Sequence, residues 1–501
     1  MKKYLSNSIL VSLFSVIINA QSIEDALRYA RPDISGTPRY ISMGGAFNAL
    51  GGDFSAISVN PAAGGVFVNS EFNATLNSNN NQISSSYLEN RNSIDSENSN
   101  INQFGVVLVL RNTNDGNLYK LSFAYNYQRT HDYENKYRAT GTNDKVGLDN
   151  YFLVFANGIQ FGRIKTYDNE TLSESYEYLG NNFGFPSQQA FLGYQGYVID
   201  PFDEIDFNNL YSSNSNPQKQ AVDHDFFVSN SGYNSKHSFN ISGQFKEKLY
   251  LGINLNSHYT EFKRIDRLTE FNYGSGSDFI STLFENDLNS IGSGFSFQIG
   301  AIYKLEYFRV GLSYQSPVWY SLTDELFQYL ETSKINGIDI VDPRVINIYE
   351  YNLKTPSILS VGLARVFGSK GLISLQYDYT DLTNLKFNVG DGDRNFINQN
   401  NTIERSLKSA GTLKLGGEYR LSRLSFRAGY HNQQSINKKI NDKNQGFSFG
   451  LGYDLGGSLL NFGILNQKIE RAELMYQEGL NQIINLKNLQ TQFCIGLTIK
   501  L

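Results

Sequence analysis

Apolar and polar residues alternate one by one along most of this chain. From Leu489 to Leu501 the sequence reads LQTQFCIGLTIKL, which places Phe493, Ile495, Leu497, Ile499 and Leu501 on one face and Gln492, Cys494, Gly496, Thr498 and Lys500 on the other. Side chains of a β-strand point alternately to opposite faces, so this segment predicts a strand with one face for lipid and one for water or small interior contacts. The alternation recurs at Leu121–Tyr127, Leu249–Leu255, Phe295–Tyr303, Val310–Tyr314, Ile373–Tyr379, Leu413–Tyr419 and Phe447–Tyr453. Counted along the chain it predicts 14 strands, at about 66–79, 101–111, 118–131, 236–246, 249–267, 294–305, 308–318, 345–366, 372–387, 407–420, 423–433, 446–455, 458–469 and 489–501. Pro356 falls inside the eighth run and predicts a bend or bulge there.

The connections alternate too. The even-numbered strands are followed by short turns, around Asn112–Asn117, Glu247, Glu306, Gly368–Lys370, Ser422 and Gly456-Gly457, and the odd-numbered ones by long polar segments. An even number of antiparallel strands with short turns at one end and long loops at the other is the signature of an outer-membrane β-barrel; a sandwich has no reason to keep it. The fold class is therefore all-β, a 14-stranded antiparallel transmembrane β-barrel over residues 65–501. The longest connection, near 131–235, is too long for a bare loop, and its segments Tyr151–Phe161 and Ala190–Ile199 are apolar enough to fold over or into the barrel mouth.

The N-terminus departs from this pattern. Lys2 and Lys3, the apolar run Ile9–Ile18 and the small residue Ala20 read as a signal peptide over residues 1–20. The run is too short for a membrane anchor, and no cysteine marks a lipoprotein. Residues 21–64 hold an amphipathic opening (Ile23, Ala26, Leu27, Ala30) and a glycine-rich apolar stretch with no strand periodicity. Such a segment suits the barrel lumen; a soluble periplasmic cap or arm is the alternative.

Composition adds limits. A net charge of -5 over 501 residues, without a basic patch interleaved with aromatics, leaves no nucleic-acid partner. Cys494 is the only cysteine, so no disulfide framework exists. The mean hydropathy of -0.37 suits a barrel, in which only one face of each strand is apolar, as well as a soluble exported protein.

The run Arg39-Tyr40-Ile41-Ser42-Met43-Gly44-Gly45-Ala46-Phe47, followed by Ser58-Val59-Asn60-Pro61-Ala62-Ala63, resembles the N-terminal hatch of the outer-membrane long-chain fatty acid and hydrophobic-compound transporter family. It is closest to the Bacteroidetes-type variants often labelled hemin receptors. The motif covers only this stretch, and the barrel is matched by pattern. The resemblance implies a 14-stranded barrel plugged by its N-terminal segment in the bacterial outer membrane. It also implies passive, hatch-gated passage of a hydrophobic small molecule, with long-chain fatty acids as the cargo. Expected partners are outer-membrane lipid, lipopolysaccharide and, during insertion, the barrel-assembly machinery. The ligand or gate residues it implies are Met43, Gly44, Gly45, Phe47, Asn60, Pro61 and Ala62. No catalytic residues, metal ligands or cofactors are expected.

Particular residues admit other readings. Gly446-Phe447-Ser448-Phe449-Gly450 matches a nucleophile elbow in letters, but an elbow needs a strand-to-helix turn and here the strand continues. His131, His224, His237, His258 and His431 lack metal-ligand spacing, though one of them could ligate haem iron. Asp391-Gly392-Asp393 reads as a solvated loop tip ahead of a calcium site. Lys414, Glu418, Arg420 and Arg427 fall on the polar face of their strands, where they either hold the N-terminal segment or line water. Competing functions are a non-transporting interaction barrel of a protein secretion system, and hemin uptake or binding. A TonB-dependent receptor needs a longer chain, and a barrel lipase needs a triad that cannot be assembled.

Overall fold

The computed structural model describes residues 22–112, 116–388, 396–440 and 442–501. The signal-peptide segment and Asp391-Gly392-Asp393 lie outside the described residues.

Fourteen antiparallel crossings form one sheet that closes on itself. In chain order they are Glu71–Tyr87, Asn90–Arg111, Leu118–Asp132 continued by Asn135–Asn143, Val222–Phe245, Leu249–Phe271, Phe279–Lys304 and Phe308–Gln315 continued by Trp319–Lys334. Strand 8 comes in three pieces, Gly337–Val341, Asn347–Lys354 and Ile358–Val366. Strand 9 is Gly371–Asp381 with Lys386–Asn388, and strands 10 to 14 are Ser409–Leu421, Leu424–Gln433, Lys443–Asp454, Ser458–Leu474 and Ile483–Lys500. Closure is made by strand 1 against strand 14, in register from Glu71 opposite Lys500 to Ser86 opposite Asn485. Backbone amides in hydrocarbon have no water to bond, so a spanning sheet needs this last seam. Among the described residues no helix is long and apolar enough to cross a membrane.

The alternation sets the faces. Phe493, Ile495, Leu497 and Ile499 of strand 14 are exposed outward, as are Phe462 and Ile464 of strand 13 and Phe447, Phe449 and Leu451 of strand 12, while Cys494 and Thr498 are buried inward. Repeated around the barrel, the exposed residues form a lipid-facing belt. The thiol of Cys494 donates to the carbonyl of Gly463 at 3.3 Å.

Breaks in strands 8, 7 and 3 interrupt the wall. Strand 8 breaks at Pro356 as expected, and strand 7 breaks beside it at Pro317, where the missing amide bonds are replaced by Val318 N donating to Thr355 Oγ1 at 2.9 Å and Thr355 N to Val318 O at 3.0 Å. Strand 3 breaks after Asp132. Its ladder to strand 2 covers only Gln103–Arg111, and beyond it Asn98 and Asn100 donate to the carboxylate of Asp132 at 2.8 and 2.9 Å.

The loop end corrects the expected long polar connections. Strands 1 and 2 run on to a two-residue turn at Leu88-Glu89, and strands 7 and 8 to one at Ile335-Asn336. The extensions of strands 1 and 2 are rich in Asn and Ser on both faces, so no hydrophobic period marks them, yet the backbone pairing continues from Asn77 opposite Asn100 to Tyr87 opposite Asn90. Between Asn143 and Val222 the chain instead builds four helices, α4 (Leu148–Ala156), α5 (Phe161–Ile164), α6 (Leu172–Phe183) and α7 (Phe185–Gln195). Here the apolar segments Tyr151–Phe161 and Ala190–Ile199 fill the inside of the extended strands. Phe152, Phe191 and Leu192 pack with Phe226, Leu268, Phe284 and Leu330 of strands 4 to 7 in the largest apolar cluster of the molecule.

Glu270 of strand 5 accepts the amide of Leu148 at 2.6 Å at the start of α4, and His224 Nε2 lies 3.2 Å from the same carboxylate. The carboxyl of Asp149 is buried beside it; burial, reinforced by Glu270, pushes it up to about 6. An acid raised in the folded state favours the fold when protonated and costs stability once ionised, so this helical cap is held more tightly below pH 6 than above it. Asp149→Asn is expected to make the cap more resistant to limited proteolysis at pH 8, by no more than about 3 kcal/mol, with little change at pH 3 under an acid-active protease; equal digestion of both proteins at pH 8 would contradict this.

Candidate functional site

The N-terminal segment lies inside the barrel, and its sequence explains its shape. Ser22 and Asp25 cap α1 (Ile23–Ala30) reciprocally, and Thr37 caps α2 (Pro38–Ser42), whose first residue is proline. Asp53 caps α3 (Phe54–Ile57) and also accepts Thr37 Oγ1 at 2.8 and 2.9 Å, tying two turns together. Asn60 opens the short helix Pro61–Val66: its Oδ1 accepts the amide of Ala62 at 3.1 Å, and Pro61 takes the first helical position, where no amide is needed. The Asn-Pro-Ala signature is thus a helix start. Gly44 and Gly45, at φ +61° and +74°, reverse the chain where a residue with a Cβ would be strained.

The wall is made to receive this segment. Inward positions on strands 5 to 8 and 10 to 13 hold glycine, in four facing pairs: Gly252 with Gly300, Gly311 with Gly362, Gly416 with Gly429 and Gly450 with Gly463. A Cβ on Gly416 would stand 2.5 Å from the carbonyl oxygen of Met43; one on Gly252 would collide with Pro61, on Gly311 with Asn48 and on Gly450 with Ser42. Removing these side chains brings the backbone of the segment within reach of the neighbouring polar side chains. Gln376 Oε1 accepts the amides of Phe47 and Asn48, each at 2.9 Å, and Ser448 Oγ accepts Gly44 N at 3.1 Å. Asn254 Nδ2 donates to Ile57 O at 2.8 Å and Asn240 Nδ2 to Pro61 O at 2.9 Å. Ser448, at the centre of the elbow-like pentapeptide, is therefore a backbone anchor on a strand.

The charged residues expected at the lumen divide. Glu418, wholly buried, accepts Arg39 Nε at 2.8 Å, Arg427 Nε at 2.8 Å and the guanidinium of Arg420. Arg39 also donates to Gly52 O at 3.2 Å, so one carboxylate joins the segment to strands 10 and 11. Lys414 pairs with Asp378 at 2.7 Å and takes no part in that cluster.

Two cavities flank the segment. One, of about 200 Å³, lies on the cap side, between α1 and the wall of strands 3 to 13. The other, of about 260 Å³, lies at the turn end, where Arg39, Asp53 and Phe54 of the segment face Glu71, Arg423, Asp454 and Lys500 near the strand ends. Residues 37–67 form the partition. All seven residues expected from sequence sit in that partition and are buried. Met43 and Phe47 belong to its apolar core, with the Phe47 ring tilted against Tyr40 at 5.5 Å; Asn60 Nδ2 donates to Asn48 O at 2.8 Å and Ala301 O at 3.2 Å; Ala62 packs on Tyr250 and Ile302. None of the seven lines either cavity; Tyr40, Ser58 and Val59 line the cap-side one. Sequence reasoning missed these and the inward Lys236, and weighed His258 only for haem. Their signal was present, since Lys236 falls in phase with the polar positions Ser238, Asn240 and Ser242 of strand 4.

The histidines stand apart. His224 meets Tyr87 and Glu270, His237 meets Tyr125, His258 meets Ser296, His431 meets Asn444 and His131 meets Asp33. Among the described residues no group of three or more His, Cys, Asp or Glu is placed to hold a metal ion.

A closed 14-stranded barrel with a lipid-facing belt, a partitioned lumen and a helical cap defines an outer-membrane-type β-barrel. The same fold occurs in a Pseudomonas aeruginosa FadL homologue, at a TM-score of 0.54 and 11% identity over 94% of this chain and 99% of that one. The Pseudomonas putida toluene transporter TodX is similar at a TM-score of 0.50 and 13% identity, over 94% of this chain and 100% of that one. No protein-family model and no curated protein matches the sequence.

Two expectations follow from the site. Glu418→Ala leaves two buried guanidinium groups without their counter-charge and should lower stability by about 3–5 kcal/mol, read as a shift in the urea midpoint of the protein in bilayers. Gly416→Val should push the Met43–Gly44 turn off the wall and raise hydrogen exchange in residues 40–50 while the strands stay protected; unchanged exchange there would mean that the glycine belt does not set the seat.

Proposed function

We propose that this protein is an outer-membrane channel for the passive uptake of hydrophobic compounds, with long-chain fatty acids as candidate cargo and residues 21–64 as a hatch. The observation that carries the reading is the partition. One short segment, held mainly by side-chain hydrogen bonds and the Arg39–Glu418 pair, stands between a cavity on the cap side and a cavity at the turn end. Shifting residues 37–67 by a few ångströms joins the two. Short turns face the periplasm in barrels of this type, which puts the cap outside the cell. Lipopolysaccharide and a water-filled pore both disfavour apolar solutes, and a walled cavity lowers that barrier. The solved structures of like fold include a toluene transporter, in keeping with this class of cargo. In this reading Met43, Gly44, Gly45, Phe47, Asn60, Pro61 and Ala62 are hinge and seat of the gate, and the break in strand 3 is the candidate lateral path.

The test is uptake into proteoliposomes of a labelled long-chain fatty acid and of haem, side by side, against empty vesicles. Faster entry of the fatty acid alone is the expected result. Entry of haem alone would replace the reading with hemin uptake, and entry of neither would replace it with an interaction barrel. Deleting residues 22–63 should convert gated passage into a leak of small solutes; unchanged uptake and unchanged leakage after deletion would refute the gate.

A further inference from the structure

Strand 2 carries an open sheet edge. Over residues 90–102 it pairs with strand 1 alone, and its ladder to strand 3 begins only at Gln103. Among the described residues no other backbone bonds to this stretch. The parting is built in at Asn102. That residue is the extra one where the register with strand 1 shifts, and the N-terminal segment holds its side chain: Ser35 Oγ donates to Asn102 Oδ1 at 2.6 Å, and Asn102 Nδ2 donates to Gly36 O at 2.9 Å. The open edge is about twice as long as an ordinary strand. Along it every second residue turns its amide and carbonyl away from strand 1, which is a template for one more strand.

Proteins ordinarily blunt such edges with proline, lysine, inward-pointing charges or a covering element. Residues 90–102 contain no proline, glycine or lysine. Arg91, Asp95 and Glu97 point outward with Ser93, Ser99 and Ile101. Only the inward face is covered: Asn92 Nδ2 donates to Thr140 Oγ1 at 3.1 Å, and Asn98 and Asn100 reach Asp132. Ser96 Oγ and the Oδ1 atoms of Asn98 and Asn100 are buried with no hydrogen-bond partner among the described residues, so the side chains here also keep unused capacity. Apart from Ile94 and Ile101 the stretch is polar, which places it clear of the hydrocarbon.

Charge and orientation decide what pairs with this edge. Asp95 and Glu97 lie two residues apart on the outer face; among the described residues neither forms an ion pair, and Glu97 meets only Ser78 Oγ at 3.5 Å. Opposite charges across a strand pair stabilise it and like charges oppose it, so the edge favours a basic segment. A second copy of this chain does not fit. Copies in one membrane point the same way, so their second strands run parallel. The twofold axis relating them puts residues at one height on opposite faces, against the pleat that neighbouring strands share.

We propose that residues 90–102 are a docking edge for an extended, basic segment of another protein on the cap side of the membrane, which adds to the sheet as a strand beside strand 2 and sets Lys or Arg opposite Asp95 and Glu97. Backbone bonds supply the affinity and the two carboxylates select the charge. The assignment holds whether or not the lumen is a route of passage.

The probes are the end-capped peptide Thr-Thr-Lys-Thr-Lys-Thr-Thr, short enough to leave Arg91 uncovered, and its counterpart with Glu in place of Lys. Each is added at millimolar concentration to the full protein in an uncharged detergent, and amide hydrogen exchange is followed along the chain. The lysine peptide should slow exchange within residues 90–102 tenfold or more and leave the rest of the chain unchanged, and the glutamate peptide should not. Of two lysine peptides N-methylated at alternate residues, one should lose the effect and the other keep it, because only one edge of the added strand faces the protein. Asp95→Lys combined with Glu97→Lys should exchange the preference for the two peptides. Heat-dependent gel mobility reports whether that protein keeps its closed barrel; if it does not, Asp95→Asn with Glu97→Gln takes its place and should weaken the lysine peptide's effect tenfold. No slowing by the lysine peptide, equal slowing by both peptides, or equal behaviour of the two N-methylated forms would overturn the assignment.

Discussion

The structure depends on one constraint: a sheet in lipid must leave no backbone amide unpaired. Pairing of strand 1 with strand 14 meets it, and the consequences run inward and outward from there. Outward, every second residue meets hydrocarbon, which accounts for the exposed Phe, Leu and Ile along each strand. Inward, closure creates a lumen whose wall carries the polar half of each strand. That half is itself a set of hydrogen-bonding groups needing partners, and the N-terminal segment supplies them through its own backbone, as at Gln376, Asn254 and Ser448.

The fit between segment and wall is achieved by removing side chains rather than adding them. Glycines at matching heights on strands 5 to 8 and 10 to 13 let the segment approach close enough for single hydrogen bonds to form. Polar contacts of this kind are individually modest, about 0.5–1.5 kcal/mol net, so many of them hold a segment in place without making its release prohibitive. The exception is Glu418, whose three arginine partners concentrate charge where the segment meets the turn end.

Much of this was legible from residue order. The 14 crossings, the six turns of the turn end and the break at Pro356 follow from period-two alternation and from proline's missing donor. The extensions of strands 1 and 2 at the loop end were not legible, because Asn- and Ser-rich strands carry no apolar period; they pair through backbone groups that every sequence possesses. The site divided in the same way. Asn60-Pro61 announced a helix start, but that Met43 and Asn60 face the wall and leave the cavities to Tyr40, Ser58 and Val59 depends on the glycines they meet, Gly416 and Gly300.

The sequence by itself determined what a period can carry, namely that the chain is a lipid-spanning barrel with a non-strand segment at its N-terminal end, because alternation is a local property read from neighbours. Only the tertiary structure decided that this segment divides the lumen, that one carboxylate gathers three arginines and that strand 2 keeps an open edge over residues 90–102. Those depend on which groups are brought together from separate parts of the chain, and a strand looks the same in sequence whether or not a neighbour pairs with its far edge.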